Sequence, residues 1–243
     1  MRITRSVIPN LFTLANLFSG FSAIVFIADG YFEKAALFIF LAGIFDALDG
    51  VIARLTKSVS ELGVELDSLC DAVSFGVAPA FLMYSQFFRS YGDIGLLLAS
   101  LPALAGVFRL ARFNAELTGL SDKEYFTGMP IPAGAITLIS YAVFFKPPEI
   151  LAQTGATLPV VVVLLASFAM ISRVKYDNVP RFTARSFRQR PVFSVVFIAA
   201  VAAGVLTAGA AVFPAMLLYI TAGFARHFWQ IRTAPIDDFD DPE

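Results

Sequence analysis

One cysteine, one histidine and one tryptophan occur in 243 residues. Cys70 on its own excludes a disulfide within the chain and any cysteine-built metal cluster. His227 on its own removes schemes that need two imidazoles, whether catalytic or metal-binding. Charge is scarce as well. Asp, Glu, Lys and Arg make up 15% of the chain and apolar residues 58%, far from the usual soluble-protein balance of about 25% charged. With a net charge of −1 there is no basic surplus for a nucleic acid.

Long apolar runs are what the sequence has in abundance. About eight stretches approach or reach the roughly 17–25 residues that cross a hydrocarbon core: Leu11–Ala28, Ala35–Ala53, Leu69–Phe88, Ile94–Ala111, Met129–Phe145, Thr157–Ser172, Val192–Ala208 and Ala211–His227. The expected fold is all-α, a polytopic transmembrane helical bundle. Arg2 and Arg5 precede the first run, as in a signal peptide, but so many later spans favour a retained first helix. An inside N-terminus puts 15 Lys and Arg on the inner side and leaves Lys34, Arg89 and Lys146 outside, the full 18. By the positive-inside rule both termini are then cytoplasmic.

One integral membrane domain is expected over 1–243, with a catalytic core at about 9–145. A basic loop at 173–191, holding Arg181, Arg185, Arg188 and Arg190, suits anionic headgroups. Residues 233–243 are expected to form an acidic, flexible tail. In the first span Asn10, Thr13 and Asn16 recur every third residue and so share one helix face. Such a face either bonds to neighbouring helices or walls a site.

Four aspartates stand where a membrane span should be greasy. Asp46 and Asp49 are i and i+3 on the second helix, and Asp67 and Asp71 are i and i+4 at the start of the third. Each pair shares one face. The turn Leu55–Leu66, with Gly63, brings the pairs together at the cytoplasmic boundary. Ionised groups in a bilayer are expensive and usually functional. Arg54 and Lys57 are too few to neutralise four acids. Hard carboxylate oxygens without His or Cys suit Mg²⁺ or Mn²⁺. A pair of such ions about 4 Å apart clamps displacement at phosphorus.

The stretch from Asp46 to Asp71 reads D-x2-D-G-x2-A-R-x8-G-x3-D-x3-D, with Gly50, Ala53, Arg54, Gly63, Asp67 and Asp71 at the fixed positions. It resembles the signature of the CDP-alcohol phosphotransferase family at every element. The stretches "IPNLFTLANLFSGFSAI", "ELGVELDSLCDAVSFGVAPA" and "RFNAELTGLSDKEYFTGMPIPAGA" are similar to the branch that transfers to serine. The likeness covers about the first 140 residues and only loosely the last three helices. It implies transfer of a phosphatidyl group from CDP-diacylglycerol to L-serine with release of CMP. Asp46, Asp49, Asp67 and Asp71 would hold two divalent ions, with Asp71 as general base. CDP would lie against Asn10, Thr13, Asn16, Gly50, Ala53, Arg54, Lys57 and Gly63. A homodimer in the cytoplasmic membrane, with its site facing the cytoplasm, is also implied.

Serine's carboxylate calls for a cation. Arg109 and Arg112, at the end of the fourth helix, are the nearest candidates by topology, and Asn114 could add hydrogen bonds. Within the family, glycerol phosphate or inositol phosphate are the alternative acceptors, and a CDP-linked archaeal ether lipid the alternative donor. Outside it, an intramembrane prenyltransferase would place its acidic motifs on well-separated helices. A divalent-cation transporter would place acids near the midplane, often in an inverted repeat.

Overall fold

A computed structural model describes residues 3–56, 58, 60–116, 125–145, 155, 157–177, 202–204 and 206–233. Seven helical segments stand among these residues, against the eight expected. Most of the missing one, Val192–Ala208, lies outside the described residues. Three helical runs, Val7–Ala28, Phe32–Thr56 and Glu61–Ala115, are long and apolar enough to cross a membrane. The third, at 55 residues, is long enough to cross twice, and the chain reverses within it at Gly92, whose φ of +56° suits glycine.

Helix α1 (Ile3–Ala28) and helix α2 (Phe32–Thr56) form an antiparallel pair. Their turn is a Schellman closure: the Tyr31 N–H donates to Phe26 O (2.8 Å), the Gly30 N–H to Ile27 O (3.0 Å), and Gly30 takes φ +80°. Small residues let the two backbones approach, with Ala23, Ala35, Ala36 and Ala42 all buried. Large side chains such as Phe18, Phe21, Leu37 and Phe40 are exposed, which is where lipid would meet them.

Helix α3 (Glu61–Asp71) begins eight residues before the hydropathy run suggested. The expected twelve-residue turn is mostly helix, and Gly63 sits in its first turn. Ser60 is the reason: its Oγ accepts the Gly63 N–H at 3.1 Å, and Glu61 favours the positive helix start. A polar helix start is invisible to a hydropathy window. The helix continues through a π-helical turn (Ala72–Val77), α4 (Ala78–Met83) and a second π-turn (Tyr84–Phe88). After a 3₁₀ turn (Arg89–Tyr91), α5 (Gly92–Glu116) runs back along this stretch, and Gly76 faces Ala103.

Helix α6 (Ile131–Ile139) extends through a π-turn (Ser140–Phe144), and α7 spans Thr157–Ile171. The addition to an all-helical expectation is a small antiparallel ribbon. Strand β1 (Tyr125–Thr127) pairs with β2 (Lys175–Asp177), with Tyr125 opposite Asp177. Gly128, at φ +82°, carries β1 into α6 and donates to Val174 O at 2.8 Å. Helix α8 (Val212–Thr233) packs Phe213 against Phe145 and Tyr141, and lays Gly223 on the ring of Tyr176. Burial pushes the Tyr176 phenol up to about 12.

Candidate active site

The site forms where α1, α2 and α3 meet. The i, i+3 spacing on α2 turns Asp46 and Asp49 to one side, and the i, i+4 spacing on α3 does the same for Asp67 and Asp71. One oxygen from each of Asp46, Asp49 and Asp67 lies within 4.8 Å of the others. Asp49 and Asp71 are each only 7% exposed, and Asp46 is in hydrogen-bond contact with Asp67. Two acids in contact need a shared proton or a cation between them.

Helix α1 supplies the donors. Thr13 Oγ1 donates to Asp49 Oδ2 at 2.8 Å, and Asn16 Nδ2 to Asp71 Oδ1 at 3.0 Å. Asn10 stands beside Gly63, its Oδ1 3.8 Å from where a Cβ on that glycine would be. The polar face of α1 therefore does both things a polar membrane face can do: it bonds to neighbouring helices and walls the acidic cluster. Among the described residues, Asp67 Oδ1 is buried without a hydrogen-bond partner. An all-carboxylate set, held together, fits a hard divalent cation.

Gly50, Ala53 and Arg54 follow on α2. The exposed Arg54 guanidinium folds back over Gly50, with Nη1 3.4 Å from where a Cβ would stand, and lies in Coulombic reach of Asp49. Lys57 lies outside the described residues. The predicted basic group at the end of α5 divides. Arg109 is 5% exposed, with its guanidinium carbon 5.5 Å from the Phe113 ring centroid, and lies in Coulombic reach of Asp71. Arg112 instead turns to the end of α7, donating to Ile171 O at 2.8 Å, Ser172 O at 3.3 Å and Met170 O at 3.4 Å. These are the carbonyls a helix C-terminus leaves unpaired. Asn114 Nδ2 donates to Ser68 Oγ at 3.0 Å, and its Oδ1 is buried without a hydrogen-bond partner among the described residues.

Three contributors escaped the sequence reading: Ser60 as cap, Ser68 as the partner of Asn114, and Ser74, whose Oγ donates to Asn16 O at 3.0 Å. Ser68 and Ser74 each lie three residues from Asp71, a visible signal for the last two.

A model of CDP-alcohol phosphatidyltransferases matches residues 6–174, the segment that holds every residue of this site. The chain belongs to the CDP-alcohol phosphatidyltransferase family. Like other transferases of that family it is an enzyme, and its apolar helices make it an integral membrane protein. Among curated relatives, the CDP-diacylglycerol–serine O-phosphatidyltransferase of Helicobacter pylori is 35% identical over 170 residues, which are 70% of this chain and 71% of that protein. The Bacillus subtilis protein of the same name is 34% identical over 179 residues, 74% of this chain and 94% of its own. The archaetidylserine synthase of Methanothermobacter thermautotrophicus is 37% identical over 174 residues, 71% of this chain and 70% of its own.

Proposed function

We propose that this phosphatidyltransferase moves the phosphatidyl group of CDP-diacylglycerol to the hydroxyl of L-serine, yielding phosphatidylserine and CMP. The observation that carries the serine assignment is Arg109, a buried arginine in Coulombic reach of Asp71 in an otherwise acidic site. A guanidinium beside the base offers several donors in a planar fork that matches a carboxylate, and serine brings a carboxylate to it while offering its hydroxyl to Asp71. The names of relatives from bacteria and an archaeon support the same acceptor across diacyl and ether donors.

In this reading Asp71 accepts the serine hydroxyl proton as the serine oxygen bonds to the phosphatidyl phosphorus. The phosphorus–oxygen bond to CMP breaks, and CMP leaves with the electron pair. A pair of divalent ions, Mg²⁺ or Mn²⁺, held by Asp46, Asp49, Asp67 and Asp71 would offset the charge of the diphosphate and of departing CMP. Asn16 and Thr13 hold Asp71 and Asp49 in place through their hydrogen bonds. Gly50, Ala53 and Gly63 leave room for the nucleotide, and Arg54 and Lys57 meet its diphosphate. The 15-to-3 division of basic residues supports a site that opens to the cytoplasm. A homodimer in the cytoplasmic membrane completes the proposal.

Purified protein given CDP-diacylglycerol should release CMP only with Mg²⁺ or Mn²⁺ present, and faster with L-serine than with any other alcohol. Efficient use of glycerol 3-phosphate or inositol phosphate in place of serine would overturn the acceptor. No CMP release with any alcohol would overturn the reaction.

A further inference from the structure

The polar face of α1 changes character along its length. Asn10 stands at the Gly63 end, Thr13 contacts Asp49, and Asn16, three residues beyond Thr13, lies against Asp71. Asn16 is 0% exposed, and its Oδ1 has no hydrogen-bond partner among the described residues. The amide orientation follows from chemistry. A carboxylate that serves as a base can only accept, so the NH₂ must face Asp71 and the carbonyl oxygen must point elsewhere. The backbone beneath is held as well. Ser74 Oγ donates to Asn16 O at 3.0 Å, and at Gly20 a Cβ would stand only 2.7 Å from Ser74 Cα. A dry amide oxygen, rigid and unpartnered beside the base, is a site for a donor that arrives with a ligand.

We propose that Asn16 Oδ1 receives an ammonium group carried on the carbon next to the one bearing the attacking hydroxyl. Asn16 then selects the acceptor and does not belong to the nucleotide pocket. The assignment rests on the transfer to serine proposed above, whose α-ammonium has this relation to its hydroxyl. With the hydroxyl at Asp71, the ammonium at Asn16 and the carboxylate at Arg109, serine is fixed by three different groups. An alcohol bearing phosphate would turn anionic oxygens towards an amide oxygen and lose the contact.

The test follows CMP release by the purified full chain with CDP-diacylglycerol and three acceptors: L-serine, 3-hydroxypropionate, which lacks the ammonium, and ethanolamine, which lacks the carboxylate. For the unsubstituted protein, loss of the ammonium should lower kcat/KM at least tenfold, the scale of one hydrogen bond to a charged group. Asn16→Leu, close in size and unable to hydrogen-bond, should slow both serine and 3-hydroxypropionate through loss of the contact to Asp71. The ratio between them should fall below about threefold, whereas a merely structural role would slow both and preserve the ratio. Ethanolamine should keep its dependence on Asn16 and lose its dependence on Arg109. If Asn16→Leu does not fold, Ser74→Ala, which frees the Asn16 backbone, should shrink the same ratio. A preserved ratio in whichever variant folds overturns the proposal. Equal use of serine and 3-hydroxypropionate by the unsubstituted protein overturns it too, leaving transfer to serine intact. CMP release with none of the alcohols defeats the transfer reading itself, and this inference with it.

Discussion

Gly20→Ala tests whether the base is aimed by the crossing of α1 over the π-turn. A Cβ at position 20 would stand 2.7 Å from Ser74 Cα and 2.8 Å from its Cβ, where about 3.4 Å is the lower limit of ordinary contact. The deficit to the backbone atom is 3.4 − 2.7 = 0.7 Å, and a Cα cannot rotate away as a side-chain tip can. Helix α1 must therefore shift by about that amount. Carried to Asn16, one turn away, the shift would stretch its 3.0 Å bond to Asp71 to about 3.7 Å, beyond hydrogen-bonding reach. Overpacking should cost about 1–3 kcal/mol of stability. Loss of a hydrogen bond to a charged group, about 1.5–3 kcal/mol, should lower kcat/KM roughly ten- to hundredfold. The control is Gly106→Ala. Its Cβ would meet Ile131 Cδ1 at 2.5 Å and Cγ1 at 2.9 Å, also a close approach, but to side-chain atoms and not to backbone. Thermal unfolding in detergent and CMP release with serine, measured on both variants, decide the matter. Gly20→Ala with activity within threefold of the unsubstituted protein, or no worse than Gly106→Ala, would refute the reasoning.

Asp49→Asn removes one ligand of the acidic trio but keeps an acceptor for Thr13, so turnover should vanish while membrane insertion and thermal stability hold; measurable CMP release would displace Asp49 from the site. Arg109→Ala should raise the serine KM more than tenfold with little change for the CDP-lipid. Arg112→Ala should instead lower the unfolding temperature, because three carbonyls at the end of α7 lose their donor; a serine-selective defect at unchanged stability would exchange the two roles. Gly128→Ala combines a left-handed φ of +82° with a Cβ that would collide with Met170 O, so folded yield should fall by more than the roughly 1 kcal/mol of a strained φ alone; normal yield and melting would show that the ribbon can relax.

The acidic pairs were legible because period and spacing suffice: i, i+3 and i, i+4 fix a helix face whatever the tertiary fold. Partner choice across helices was not. Arg109 and Arg112 look alike in sequence, yet one is buried in reach of Asp71 and the other closes α7, a helix that begins 45 residues later. Nothing local distinguishes them, since the deciding contact is between segments. The ribbon was missed because three-residue strands give no usable alternation. The early start of α3 was missed because hydropathy finds the greasy middle of a span and overlooks a capped polar end. Of the CDP candidates, the face of α1 was read as one wall, and only the packing of Gly63, Asp49 and Asp71 against it separates its three polar residues.

The π-turn at Ala72–Val77 has a consequence for how the chain tolerates changes of length. The Ala78 N–H reaches back five residues to Val73 O, so the turn holds one residue more than an α-helix would. In an ordinary helix an inserted residue rotates everything beyond it by about 100°. Here the surplus is absorbed between Asp71, which must face the acids, and Leu82 and Met83, which are fully buried. Deleting one residue inside this window would let the helix revert to regular winding with both flanks still in phase. The same deletion in α2 would turn Asp46 and Asp49 away from each other's neighbours. Loss of one residue beyond Ser74, within Phe75–Val77, should therefore be better tolerated than a loss in α2, because it leaves the Ser74 bond to Asn16 in place.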